Sequence, residues 1–244
     1  MLKTQLLIAI RNLRKHSFYT ILNVLGLSLG IACALMLFLF IRYHLGFDGY
    51  HRKAAQIYRV VTDLHLDDGS VKYESGAPMT LATAIKAEVP QVADQAFMFS
   101  NFRNLSFTVS IAGSGSAFGK MFAERGNIAF ADRHWFDLFD YEWLAGDPHT
   151  ALQEPNEAVL TSSQARKYFG NANPIGKTIR VNGRANITIT GLLTDPVGQT
   201  DKRIAVFISL SSLKAFYPEQ QPSMETGWGW INSSNSLFLL LPAE

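Results

Sequence analysis

Twenty-five consecutive residues, Ser17 to Ile41, carry no charged side chain and lie between His16 and Arg42. At about 1.5 Å per residue, a helix of this length reaches roughly 37 Å, more than the ~30 Å hydrocarbon core of a membrane. The run is longer than a signal-peptide core. Arg42-Tyr43-His44-Leu45-Gly46-Phe47 follows it where a small-residue cleavage site would stand, so the run predicts a retained anchor. The competing reading, a buried core helix of a soluble protein, rarely runs this far without a charge. Lys3, Arg11, Arg14 and Lys15 precede the span with no acid among them, whereas Arg42, Asp48, Arg52 and Lys53 are mixed beyond it. Basic residues are retained on the cytoplasmic side, which predicts the N-terminus inside and everything after about Tyr43 outside. Residues 1–16 then read as a basic amphipathic segment at the cytoplasmic interface, with Leu6, Ile10 and Leu13 set among the cations. Residues 17–43 read as the transmembrane helix and 44–244 as the extracytoplasmic part.

The span has an internal pattern. Asn23, Gly26, Gly30 and Ala34 follow one another at spacings of three, four and four, so they line one stripe of a helix. Gly26-Leu27-Ser28-Leu29-Gly30 has the small-xxx-small form that lets two helix backbones approach closely. An Asn in lipid is costly until it finds a hydrogen-bond partner, which also points to a neighbouring helix. Glycine is common in membrane helices in any case, so the shared face carries the reading more than the glycines do.

About two hundred residues remain beyond the span, enough for one large domain or two small ones with real cores. A formal net charge of +2 gives no basis for a nucleic-acid partner. The one cysteine, Cys33, lies inside the span, so the outer part must be held by burial and not by disulfides. Its periodicity is mixed. Ile57 to Leu66 predicts a strand with Tyr58, Val60, Leu64 and Leu66 on one face, turning at Asp67-Asp68-Gly69 into a partner at Val71 to Glu74. A helix over Met79 to Glu88 is closed by Pro90, and strands follow at Val92 to Phe99 and Leu105 to Ile111, with Gly113 to Ser116 as a hairpin tip. Asp132 is placed to cap a short helix through Trp135, Phe136 and Phe139. Glu157 to Leu160 predicts a strand running into a helix at Thr161. There Thr161 and Gln164 have capping-box spacing, and Gly170 stands where a left-handed C-terminal residue belongs. Strands at Thr178 to Val181 and Asn186 to Leu193 are joined by Asn182-Gly183, and Ile204 to Ile208 and Leu237 to Leu241 add two more. The alternation of strands and helices predicts an α+β fold.

No motif with catalytic chemistry survives inspection. Gly170 to Thr178 resembles a phosphate-binding loop, but five residues separate its glycines where four are needed, and its Lys177-Thr178 runs into a strand. Asp48, His51 and His44 could meet around a metal, but no second ligand pair supports this, and a charged turn after the anchor explains them better. His65, His134 and His149 are scattered, with no G-x-S-x-G or H-E-x-x-H around them. No catalytic, cofactor-binding or metal residue is therefore predicted. Asn104, Asn186 and Asn232 match the glycosylation acceptor pattern, and two of the three open or sit within predicted strands, so the matches read as incidental. Trp228 and Trp230, separated by Gly229, would face one side of an extended segment; packing on a core edge is the more frequent use of such rings, a partner surface the alternative. Phe97, Phe99, Phe102 and Phe107 read first as core.

Several segments together resemble a known family. Asn12 to Lys15, Phe18 to Gly30, Phe47-Asp48-Gly49-Tyr50-His51 and Ile57 to Val60 look like the opening of MacB-type, FtsX-like ABC transporter permeases. Trp135 to Phe139, Leu144 to Pro148, Leu160-Thr161, Tyr168-Phe169-Gly170, Pro174 to Lys177, Thr190-Gly191 and Asp195-Pro196 continue the likeness down the chain. The resemblance implies a first transmembrane helix and a periplasmic core domain. In it a porter-like α+β subdomain carries an inserted smaller α/β subdomain, here roughly 118–205. It further implies a bacterial inner membrane location, three later transmembrane helices, a second permease chain or half, and a cytoplasmic ABC ATPase that binds the ATP. That ATPase would drive the periplasmic domain to act in export or on an extracytoplasmic partner. The chain ends at Leu241-Pro242-Ala243-Glu244, before the family's later helices, so a complete transport activity is not expected of these residues alone. The reading from another class is a single-span periplasmic binding or scaffold protein uncoupled from ATP.

Overall fold

A computed structural model describes residues 2–100, 106–112 and 118–242. The chain divides into two compact units, 1–47 and 48–244.

In the first unit, helix α1 (Leu2–Lys15) and helix α2 (Ser17–Leu45) are separated by a break at His16, whose backbone leaves helical geometry with φ −117° and ψ 50°. The Thr20 hydroxyl donates to the carbonyls of Leu13 and His16 at 3.1 and 3.0 Å, absorbing the acceptors that the break frees. α2 has 29 residues and none of them is buried, so its apolar surface has no protein covering in this unit. At its far end the rings of Phe40, Tyr43, His44 and Phe47 cluster, with Phe40 and His44 4.4 Å apart, as suits a membrane–water boundary.

The second unit runs β1 (Ile57–Arg59), β2 (Thr62–His65), β3 (Val71–Glu74), α3 (Met79–Glu88), β4 (Asp94–Ser100), β5 (Ser106–Ala112), β6 (Phe118–Arg125), β7 (Ile128–Ala131), α4 (Trp135–Leu138), β8 (Trp143–Ala145), β9 (Glu157–Thr161), α5 (Ser162–Phe169), β10 (Thr178–Val181), β11 (Ala185–Leu193), β12 (Val206–Ser209), α6 (Leu213–Phe216), α7 (Gln221–Thr226) and β13 (Asn235–Leu240). The fold is α+β. One sheet has the order β1-β13-β4-β7-β12-β9-β11-β10-β5-β6, with β8 beside β11. Its pairs β9–β11 and β7–β12 are parallel and the others antiparallel. Residues 118–205 contribute β6 to β11 to this same sheet.

The sheet is covered on both faces. Phe97, Phe99, Phe130, Leu160 and Ile208 point into one apolar layer, and Ala96, Met98, Ala129, Val159 and Phe207 into the other. Central strands β4, β7, β9 and β12 are therefore buried at nearly every position, whereas peripheral β10 and β11 alternate. Within β11 the register against β9 slips by one residue between Ile189 and Gly191. That bulge sends Leu193 into the second layer while Ile187 and Ile189 stay in the first.

Three local expectations are corrected. Ile57 to Leu66 is two strands: Val60 still donates to the Leu237 carbonyl, but from Thr62 the chain pairs with β3 in a separate hairpin, and Tyr58 and Leu66 are exposed. Thr161 stands at the α5 cap position without making a side-chain cap bond. Asp195 caps instead, accepting from the Ser163 amide and from the hydroxyls of Ser162 and Ser163 at 3.1, 2.7 and 2.6 Å. The helix closes at Gly170 with positive φ (64°), but ψ of −128° lies outside the left-handed helical well. The predicted hairpin tip at Gly113 to Ser116 lies outside the described residues.

Two acids tie helices to the sheet, one on the edge strand β6 and one directly after the central strand β7. Glu124 on β6 is 2% exposed. Its Oε1 accepts from Gln164, Lys167 and Tyr168 of α5 at 2.7, 2.7 and 2.9 Å, and its Oε2 from Asn127 at 2.7 Å. Burial raises its pKa, but the four donors together hold it below the ordinary carboxylate value. Asp132 bonds the start of α4 as expected and also ties it to β4, accepting from the amide of His134 at the cap position at 3.1 Å and from that of Phe97 at 2.6 Å. Burial, with a smaller contribution from the charge of Asp94, pushes its carboxyl up to about 7 against the pull of the backbone donors.

Glu124→Ala leaves the buried donors of Gln164 and Tyr168, and the part-buried ones of Asn127 and Lys167, without their acceptor and is expected to cost about 2–3 kcal/mol in chemical denaturation. Because the folded pKa of Glu124 is depressed, its contribution is present above the unfolded value and is lost as pH falls through the folded one. Asp132 has the opposite sign: its contribution is present below the unfolded value of 3.8 and is lost as pH rises through about 7. Its side-chain carboxyl 13C resonance should titrate near that pH; an ordinary carboxylate midpoint would refute the assignment.

Candidate functional site

The segment Asp48–Lys53, which opens the second unit, is fastened to two distant loops. Asp48 adopts positive φ (55°), which turns the chain so that its amide donates to the Gln199 carbonyl at 2.8 Å. His51 is 7% exposed, and its Nδ1 accepts from the Asp140 amide at 2.9 Å. This bond requires an unprotonated Nδ1, and burial accordingly lowers the His51 pKa although the charges of Asp48 and Asp140 oppose the shift. Tyr50 packs its ring 4.1 Å from that of His51, and Gly198 lies against the other side of Tyr50, where a side chain would collide with the ring.

Asp140 collects the strongest contacts. Its Oδ2 accepts from the Arg52 amide at 2.6 Å, and its Oδ1 from Arg52 Nε and Nη2 at 2.9 and 2.7 Å. Partial burial raises the carboxyl pKa, but the Arg52 donors outweigh this and hold it low. Lys53 Nζ donates to the Asp137 carbonyl at 2.8 Å. Asp48, His51, Arg52 and Lys53 thus carry hydrogen bonds to residues 137–140 and 199–201. These partners are roughly 85–150 residues apart, so no local spacing announces them.

The residues singled out from sequence fall in different places. Asn23, Gly26, Gly30 and Ala34 lie on α2, where all are exposed; a side chain at either glycine would meet open space. Trp228 and Trp230 do not share a face. Gly227 closes α7 by donating to the Ser223 carbonyl, and the Trp228–Gly229 turn that follows replaces the expected extended segment. Trp228 is 56% exposed, while Trp230 packs against the first apolar layer. Phe97, Phe99 and Phe107 are core; Phe102 and Asn104 lie outside the described residues. Lys177 of the loop resembling a phosphate site sits 5.1 Å over the Phe169 ring, and β10 begins at Thr178.

One cluster went unnoticed in the sequence. Ligand-type atoms of Asp94, His134 and Asp137 lie within 4.8 Å of one another. His134 Nδ1 is 3.2 Å from Asp94 Oδ1, and its Nε2 accepts from Arg133 Nε at 3.2 Å. A neutral ring with its proton on Nδ1 satisfies both contacts, so hydrogen bonding alone accounts for the arrangement.

Solved structures share the fold at low identity. A domain assigned to a permease protein of Porphyromonas gingivalis superposes with TM-score 0.63 at 18% identity, over 79% of this chain and 76% of that one. The periplasmic region of MacB from Actinobacillus actinomycetemcomitans gives 0.50 at 14% identity, over 77% and 75%. The extracellular domain of the noncanonic ABC-type transporter YknZ from Gram-positive bacteria gives 0.49 at 12%, over 77% and 84%. Compared with the curated proteins, the sequence has no match. The family model of the MacB-like periplasmic core domain matches residues 20–238, more than half of the chain, and the chain belongs to that family.

Proposed function

We propose that this chain is a permease section of an ABC transporter whose periplasmic domain transmits ATP-driven conformational change, in export or to an extracytoplasmic partner. ATP is bound and hydrolysed on a separate cytoplasmic subunit. The N-terminus is cytoplasmic, because the cations of α1 and its flank stand before the span, and the sheet domain is periplasmic. α2 supplies the membrane helix, and its stripe of Asn23, Gly26, Gly30 and Ala34 packs on helices of the permease or of a second copy. Trp228 offers its exposed ring to a periplasmic partner.

The observation that carries this reading is the fastening of Asp48–Lys53. Coupling needs a stiff connection where a membrane helix gives way to the domain, since a slack one would dissipate the displacement. The Arg52–Asp140 pair supplies stiffness at an exposed site, where an ion pair contributes little to stability. Removing Arg52 therefore separates coupling from folding.

The detergent-solubilised native product should co-purify with an ATPase subunit. In that complex Arg52→Ala and Asp140→Asn should each change the domain-dependent part of ATP hydrolysis by about threefold to tenfold, with the double variant no worse than either. The thermal midpoint of Arg52→Ala should stay nearly unchanged. Absence of any ATPase, together with a native product near 27.1 kDa, would replace this reading with the uncoupled single-span scaffold.

A further inference from the structure

Two histidines and two aspartates from three separate segments meet within the second unit. Asp94 begins β4, His134 precedes α4, Asp137 lies in α4, and His149 belongs to the turn after Asp147. His134 Nδ1 lies 3.2 Å from Asp94 Oδ1 and 3.7 Å from Asp137 Oδ2, and His149 Nδ1 lies 3.4 Å from Asp137 Oδ1. The Gln95 amide donates to Asp94 Oδ1 at 2.8 Å, and the His149 amide to Asp147 Oδ1 at 2.9 Å, so backbone bonds place both outer members.

A proton does not serve all of these contacts. The one N–H on His134 Nδ1 is directed at Asp94, which leaves Asp137 facing the same nitrogen at a separation too long for a hydrogen bond. His149 approaches Asp137 at more than the usual N–H···O length as well. Tetrahedral coordination with bonds of about 2.0–2.1 Å sets its ligand atoms roughly 3.3–3.4 Å apart, a value that the three separations bracket. Among the described residues no Lys or Arg forms an ion pair with either carboxylate; Lys53 bonds the Asp137 carbonyl and Arg133 bonds His134 Nε2. Two imidazoles with two carboxylates make a nitrogen–oxygen set that suits Zn²⁺, whereas Ca²⁺ and Mg²⁺ take oxygen.

We propose that Asp94, His134, Asp137 and His149 form a Zn²⁺ site, with both rings binding through Nδ1 and the two carboxylates completing a tetrahedral shell. A metal on His134 Nδ1 leaves the ring proton on Nε2, and the exposed Arg133 gives up its contact there to solvent. The His149 side chain, 78% exposed, turns onto the ion without displacing a packed group. The ion would join the start of β4, α4 and the turn after Asp147 just ahead of Asp140, which holds Arg52. Its binding does not depend on any ATPase, so the site and the coupling role are tested separately.

ZnCl₂ is titrated calorimetrically into the tag-free full chain, stripped of metal by a chelator and held in lipid nanodiscs, with empty nanodiscs subtracted. The expected result is 1:1 binding with Kd below about 10 μM, at least about a hundredfold tighter than Ca²⁺ or Mg²⁺. Co²⁺ in place of Zn²⁺ should give the intense visible absorption of a tetrahedral ion. His134→Gln and His149→Ala should each weaken Zn²⁺ binding at least about tenfold, whereas His65→Ala, on the separate β2–β3 hairpin, should leave it unchanged. Absence of such 1:1 binding, Ca²⁺ affinity equal to that for Zn²⁺, an octahedral Co²⁺ spectrum, full affinity in either ligand variant, or a comparable loss in His65→Ala would each overturn the proposal. Should His134→Gln fail to fold, His149→Ala and the Co²⁺ spectrum of the unaltered chain decide it.

Discussion

Burial of the central strands on both faces is the constraint on which the second unit rests. The unit has no disulfide to draw on, because Cys33 lies in α2. Its order must come from two apolar layers, and strands β4, β7, β9 and β12 serve both at once. Phe97 and Met98 are adjacent in sequence and lie on opposite sides of the sheet, so a single-residue slip in β4 would exchange the two cores. Register is therefore tightly specified at the centre, and the polar contacts of Glu124 on β6 and Asp132 after β7 tie helices to that frame.

Those polar contacts share a design. Glu124, Asp132, Asp140 and Asp195 each accept several hydrogen bonds, at least one of them from a residue remote in sequence, and so tie together segments far apart in the chain. A carboxylate with several donors is directional where apolar packing is not. Around Asp140 this directionality is applied to the segment Asp48–Lys53 that opens the second unit.

Much of the fold was legible, and the reason differs by element. The span, α3 and β10 are set by local signals: an uncharged run, a helix closed by Pro90, and a strand leading to an Asn-Gly turn, and the bounds of α3 and β10 match those signals. Ile57 to Leu66 misled because its apolar residues continue across Val60–Val61, while the chain changes partner from β13 to β3 at that point. Thr161 and Gln164 had the right spacing for a capping box, but Gln164 is drawn to Glu124 and the cap comes from Asp195. The attachment of Asp48–Lys53 was recognisable only as family-like residues, since its partners are brought near by the fold alone. Trp228 and Trp230 show the limit of alternation: period two implies a shared face only if the backbone is extended.

Strand β1 opens the sheet domain and, among the described residues, pairs with β13 alone, the last strand described, with Ile57 opposite Leu240. During synthesis β1 is translated about 180 residues before its partner exists, so that edge waits unpaired while the rest of the sheet assembles. A ribosome pause or a proteolytic cut before Asn235 would leave β4 as well as β1 with an open side, since β13 lies between them. Closure of this side of the sheet is thus tied to the arrival of β13, and a chain interrupted earlier presents two vacant strand edges to cellular quality control.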